Sequence, residues 1–135
     1  MIAAMSVPSR AEAAALLLSL DPPAWHLRHA RAVAEVAGWL AARCERFGEA
    51  VDRGLVEAAA LLHDVDKALP PGDPARALPH GDGSAAWLTG RGHAELAGSV
   101  AAHPVTRLVA GGADRWLEAA PLEELLVAYA DKRAG

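Results

Sequence analysis

Between Ala30 and Cys44 the small apolar residues fall three and four apart: Ala30, Val33, Ala34, Ala37, Leu40, Ala41 and Cys44. A helix of 3.6 residues per turn gathers that spacing into one stripe. Arg28, Arg31, Glu35 and Arg43 take the opposite side. The signature recurs along the chain. Val56, Ala59, Ala60 and His63 share a face at i, i+3, i+4 and i+7, and Leu96, Val100 and His103 form another stripe. Leu122, Leu125, Leu126 and Tyr129 are expected to point inward from a last helix. Few segments alternate with period two, the mark of a half-buried strand. Apolar residues make up 53% of the chain, much of it alanine, the best helix former. The expected fold is all-α, a bundle of about six to seven helices.

Punctuation places the helix ends. "SRAE" (9–12) is a capping box, with Ser9 at the N-cap and Glu12 at N3, and it opens a helix to about Leu20. In "DPP" Asp21 is the expected cap and Pro22 the first residue of a helix over about 22–47, with Gly48 at its end. A third helix is expected over about 52–65. "LPPGDPARALPHGDG" (69–83) is too rich in Pro and Gly for regular structure, and a loop of that length marks function. Helices are expected over about 83–89 and 93–103, then a turn at 110–114, a short piece from Trp116, and the last helix from Pro121. The 135 residues suggest one domain, 1–135. Asp131 stands so near the end that the natural protein, or its family's fold, is expected to continue past Gly135.

Charge and cysteine narrow the classes. A net charge of −4, with six histidines counted neutral, offers no basic footprint for nucleic acid. Cys44 is the only cysteine, so no intrachain disulfide forms, which fits a reducing cytoplasm. The N-terminal "MIAAMSVPSRAEAAALLLSL" has no basic stretch before its apolar part and is broken by Arg10 and Glu12. It reads as a helix rather than a signal peptide. No uncharged apolar run nears the roughly 18 residues that span a bilayer. The expectation is a cytoplasmic protein acting on a small molecule, with no nucleic-acid or membrane partner. Its Trp-bearing helix faces leave room for a homodimer.

The chemistry gathers at "LLHDVDKAL" (61–69). An apolar run from Leu55 to Leu62 meets His63, Asp64, Asp66 and Lys67 within five residues. His63 continues the apolar stripe, so it points where the core points. An aspartate at a helix C-terminus is poorly placed for the helix dipole, which favours a cation nearby. His29, His80, His103 and Asp131 lie on other helices and a loop edge. Such side chains converge in bundle cores, where two-metal sites are built. Imidazole with carboxylate suits iron, manganese, cobalt or zinc, and a thiolate site is excluded. Plainer alternatives stand beside this: a core His63 with a capping Asp64, a surface Asp131 beside Lys132 and Arg133, an exposed His80, a core His103. His26 and His29 both lie on or beside the apolar stripe, and periodicity does not choose between them.

"LLHDVDK" resembles the His-Asp doublet of the HD superfamily of metal-dependent phosphohydrolases. That pattern is a His on one helix, His-Asp at the end of another, and an Asp on a late helix. This chain offers His29 in "HARAVAEVA", His63 and Asp64 in the doublet, and Asp131 in "YADKRAG". His80 in "LPHGDGSAAWL" and His103 in "SVAAHPV" match the additional histidines of the two-metal members. The whole set, over about residues 25–133, is most similar to the bacterial branch that hydrolyses dinucleoside tetraphosphates symmetrically. The resemblance implies an HD-domain bundle with metal ligands His29, His63, Asp64, His80, His103 and Asp131, and it picks His29 over His26. It implies two divalent ions, iron, manganese or cobalt, with zinc also fitting. The chain differs from the branch in three places. Asp66 stands where the family often has glycine, the segment from the doublet to His80 is short, and the stretch between His103 and Asp131 lacks the familiar signals.

Four imidazoles and two carboxylates carry about −2 and two divalent cations +4, so a filled site keeps positive charge and attracts a polyphosphate. Asp64 and Lys67 are the expected catalytic residues. Asp64 would bridge the ions beside a metal-activated water, and Lys67, one turn beyond His63, would contact phosphate oxygens. Asp66 is expected just outside the ligand set or paired with Lys67. His93 has no place in the pattern and is read as structural or substrate-proximal, and Cys44 is no nucleophile. The four Trp are expected in the core and at helix contacts, with Trp87 the candidate to stack on a base. The expected reaction is hydrolysis of a dinucleoside tetraphosphate to two diphosphates. The alternatives are another nucleotide or dNTP phosphohydrolase, a nucleotide-binding regulatory module without turnover, and a helical interaction domain with incidental histidines.

Overall fold

The computed structural model describes residues 7–104, 114 and 118–134. Among the described residues six α-helices carry the architecture: α1 (Arg10–Leu18), α2 (Ala24–Arg46), α3 (Arg53–Leu62), α4 (Asp82–Gly90), α5 (Ala97–Ala102) and α6 (Leu122–Ala134). Short 3-10 turns cover Val65–Ala68, Pro74–Ala77 and Ala94–Leu96. No strand occurs among the described residues. The all-α expectation holds.

Helix α2, 23 residues long, is the spine. It packs against both α3 and α6; α1 covers α3, α4 pairs with α5, and α5 closes on α6. Alanine makes this possible. Ala34, Ala37 and Ala41 of α2 share one buried cluster with Ala59 and Ala60 of α3 and Ala130 of α6. Small side chains let helix axes approach closely. Leu62, Leu88 and Leu96, fully buried, supply the larger contacts, each about 1.5–3 kcal/mol of burial.

The ends follow local chemistry. The Ser9–Glu12 capping box forms, with Glu12 N–H donating to Ser9 Oγ at 3.0 Å and Ser9 N–H to Glu12 Oε1 at 2.8 Å. Asp52 caps α3 by accepting from Leu55 N–H at 3.0 Å. Gly48, just past α2, has φ +86, where an L side chain would be strained.

Other expectations are corrected. Asp21 does not cap α2: it sits at φ +49, and Pro23 is the N-cap, with no side-chain hydrogen bond. The Asp is spent on the tight turn between α1 and α2. Helix α3 stops at Leu62 rather than near Val65, because the chain tightens into a 3-10 turn directly after the doublet. Segment 69–83 is not wholly irregular, since Pro74 opens a 3-10 turn capped by Asp73 and α4 begins at Asp82. Tyr129 does not pack inward. It is 54% exposed, and Leu126, Val127, Ala128 and Ala130 form the buried face. Trp25 and Trp39 are exposed rather than core, while Trp87 is buried. The turn expected at 110–114 and the piece expected from Trp116 fall outside the described residues, Asp114 and the stretch after 117 excepted.

Candidate metal centre

The last carbonyls of an α-helix have no partner inside it. Two histidines sit at such ends, His63 as the C-cap of α3 and His103 as the C-cap of α5. Each ring turns back on its own helix. His63 Nδ1 lies 2.7 Å from the Ala60 carbonyl, and His103 Nδ1 lies 2.5 Å from the Val100 carbonyl. A carbonyl only accepts, so each Nδ1 donates and the other ring nitrogen, Nε2, is left for the interior.

A third imidazole is fixed by a carboxylate. His80 Nδ1 donates to Asp66, 2.9 Å from each oxygen. Asp66 also accepts from Gly81 N–H at 3.0 Å, and its own N–H donates to Ser84 Oγ at 2.9 Å. Burial would raise the Asp66 pKa, but the bonds from His80 and Gly81 outweigh it and hold the carboxyl below its usual range. Asp66 therefore ties the doublet to the start of α4 and aims His80. The expected pairing with Lys67 does not form: Lys67 Nζ lies 3.4 Å from Asp64 Oδ2 instead. The expected place just outside the ligand set is where Asp66 lies.

The free Nε2 atoms converge on Asp64. On one side His29 Nε2 from α2 and His63 Nε2 are 3.2 Å apart and lie 3.5 and 3.3 Å from Asp64 Oδ2. Asp131 of α6 joins them, its Oδ1 3.0 Å from His29 Nε2 and 3.3 Å from His63 Nε2. On the other side His80 Nε2 and His103 Nε2 are 3.1 Å apart and lie 3.0 and 3.3 Å from Asp64 Oδ1. Ligand atoms about 2.0–2.1 Å from one ion, at angles of about 90–109°, stand roughly 2.9–3.4 Å from each other. The observed separations fall in that range except His29 Nε2 to Asp64 Oδ2, at 3.5 Å. Asp64 Oδ1 is buried, yet no neighbour among the described residues makes an aligned hydrogen bond to it. A buried carboxylate oxygen without an aligned hydrogen bond, 3.0 and 3.3 Å from two imidazole nitrogens, suits a cation between them. Three groups have ligand atoms within 4.8 Å of one another and could hold an ion: His29, His63 and Asp64; His63, His103 and Asp131; Asp64, His80 and His103.

Electrostatics without an ion show what a cation would replace. Burial alone would lower the His63 pKa, but hydrogen bonds to Asp131 and Asp64 raise it to about 9. Hydrogen bonds to Asp64 and then Asp66 raise His80 to about 9 as well, against a smaller effect of burial. Burial would raise the Asp64 pKa, but the imidazoles of His103, His63 and His80 within 3.3 Å of its oxygens drive it far below the usual carboxylate range. Burial works the same way on Asp131 and is outweighed by His63. Protons thus stand in for positive charge among ionised carboxylates.

All six sequence-predicted ligands come together, drawn from α2, α6, the ends of α3 and α5, and the turn before α4. His26 and His93 stay out. His26 is 1% exposed with both ring nitrogens unpaired among the described residues, and burial lowers its pKa. His93 Nδ1 lies 3.5 Å from Glu95. Arg76, which shares a cavity with His80, had no signal in the sequence, because it belongs to no motif or stripe. The model of the family described as the HD domain matches residues 27–135. No curated protein and no solved structure matches the chain.

Proposed function

The chain belongs to the HD domain family, a superfamily of metal-dependent phosphohydrolases, and we propose that it hydrolyses a nucleotide polyphosphate. The observation that supports this best is Asp64, whose two oxygens face two separate histidine pairs. On this reading His29, His63, Asp64 and Asp131 would hold one divalent cation, and Asp64, His80 and His103 would hold a second. Such cations lower the pKa of a nearby water and offset charge building on phosphorus.

The chain's own groups do the rest. The Nδ1 bonds of His63, His80 and His103 lock ring orientation, so ligand geometry is set before substrate arrives. Lys67, with its side chain 46% exposed and its ammonium beside Asp64, neutralises the phosphate oxygens as charge develops. The substrate is a dinucleoside tetraphosphate. Water oxygen bonds to phosphorus, the central P–O bond breaks, and the leaving diphosphate oxygen takes up the proton, giving two nucleoside diphosphates. No helix among the described residues is long and apolar enough to cross a membrane.

The test joins metal content and turnover on one sample. Purified protein is analysed for transition metals, then assayed with added manganese, iron or cobalt against diadenosine tetraphosphate, mononucleotides and dNTPs. Diphosphate as sole nucleotide product from diadenosine tetraphosphate is expected. Monophosphate with triphosphate would defeat the symmetrical assignment. Metal binding with no turnover of any nucleotide would leave a sensor rather than an enzyme. Absence of metal, with His63→Ala leaving stability and binding unchanged, would defeat the metal centre itself.

A further inference from the structure

One cavity opens beside His80 of the centre, and a second shares Leu78 with it. The nearer, about 220 Å³, is bounded by Asp66 and His80 of the centre and by two cations, Lys67 and Arg76. Among the described residues Arg76 is held by backbone, not by a carboxylate: its Nη1 donates to the Leu69 carbonyl at 2.6 Å and the Lys67 carbonyl at 3.2 Å. Those bonds fix the guanidinium without neutralising it. A fixed, planar cation is the group best suited to phosphate oxygens.

The farther cavity, about 550 Å³, is also lined by Leu78 and falls within the size range of small-molecule sites. Trp87 forms its wall, with the Arg91 guanidinium over the ring at 4.6 Å from the centroid. At 8% exposure Trp87 is too buried to be a stacking face for a ligand. Arg91 is exposed, and backed by the ring it becomes the platform. Asp73 lines the same cavity, its carboxylate steadied by accepting from Ala75 N–H at 2.9 Å.

A metal centre, then fixed cations, then an Arg–Trp stack beside a carboxylate reproduces the order of a nucleotide: reacting phosphate, next phosphate, base. We infer that the cavity bounded by Asp73, Trp87 and Arg91 takes the substrate's nucleobase, stacked on Arg91 with a ring or amino N–H toward Asp73, and that Arg76 holds the phosphate next to the reacting one; this deepens the phosphohydrolase reading and rests on it. The base-binding role expected of Trp87 passes to Arg91, with Trp87 as its support.

Calorimetric titration of the manganese-loaded protein with ADP and with pyrophosphate tests this without turnover. Stacking on one platform contributes about tenfold in affinity, so ADP should bind about tenfold tighter than pyrophosphate. Arg91→Ala should erase that gap and leave pyrophosphate binding unchanged. Arg91→Lys, which keeps the charge but not the plane, should also lose most of the gap. Arg76→Ala should weaken both ligands alike. Equal affinities in the native protein, or a gap that survives Arg91→Ala, overturn the inference. If manganese is taken up in those experiments, the metal centre stands and only the base site falls. Failure to take up manganese defeats both.

Discussion

Asp66 shows how a residue can stand in a motif while its partner stays hidden from the sequence. Its bond to His80 spans 14 residues of chain, and that link closes only when Gly81, at φ +93, brings the turn back over the doublet. Nothing in the local spacing announces it. His63 and His103 differ, because apolar stripes that run into a histidine at a helix end can be seen in the letters alone. The HD resemblance supplied the rest of the candidate ligand set, including the preference for His29 over His26. Geometry then supplies a reason for the Asp66 side chain. A carboxylate behind a ligand histidine fixes its tautomer and strengthens it as a donor, and losing such a partner costs about 10–100-fold in metal affinity. Asp66→Ala is therefore expected to weaken manganese binding by about that factor, measured by competition with a calibrated chelator. The weakening should fall on one of two ions. An unchanged affinity for both would show that His80 needs no such support.

At the scale of elements, sequence pattern located α1 to α6 and misplaced several ends; it missed the 3-10 turn at Pro74–Ala77 and put a turn at Asp114, which is helical. Stripe and cap are local and survive folding unchanged, as at Ser9 and Asp52. Turn geometry and facing are set by neighbours: Asp21 goes to a tight turn, and Tyr129 turns outward because α6 packs through Leu126, Val127 and Ala130. Helix α1 carries no member of the histidine–aspartate cluster and packs on the back of α3. Ser9→Ala removes its cap and is expected to lower stability by about 1 kcal/mol, seen as a lower urea midpoint, with manganese affinity unchanged. A fall in metal affinity would mean that α1 acts on the centre through α3. Gly81→Ala makes the opposite separation. Its Cβ would meet Pro104 Cγ at 2.9 Å and the Ala101 carbonyl at 3.2 Å, on a backbone that L residues rarely adopt. Loss of about 1–3 kcal/mol is expected, together with weakened metal binding, because His80 is the preceding residue. Wild-type stability in that variant would show that the turn can relax.

For the whole molecule, the centre couples folding, protons and metal. In the metal-free protein His63 and His80 have pKa values raised to about 9, against about 6.5 unfolded. Groups shifted upward contribute stability that is complete below about pH 6.5 and is lost as pH rises through about 9. The lowered carboxylates, Asp64, Asp66 and Asp131, stay ionised across that window and add no slope to it. Divalent cations need the same Nε2 atoms free, so each ion that binds must displace protons. Two consequences follow with opposite sign. Chelator-treated protein should lose thermal stability between about pH 6.5 and 9, while the gain in Tm on adding manganese should grow over the same interval. Titration calorimetry at pH 7 in two buffers of different ionisation enthalpy would then report net proton release per manganese bound. Buffer-independent heats would mean that His63 and His80 are already neutral in the metal-free fold. Positive charge would then be missing from a core that holds Asp64 and Asp66 buried and ionised, and the metal-free protein should be far less stable than the metal-loaded one even at pH 6.5.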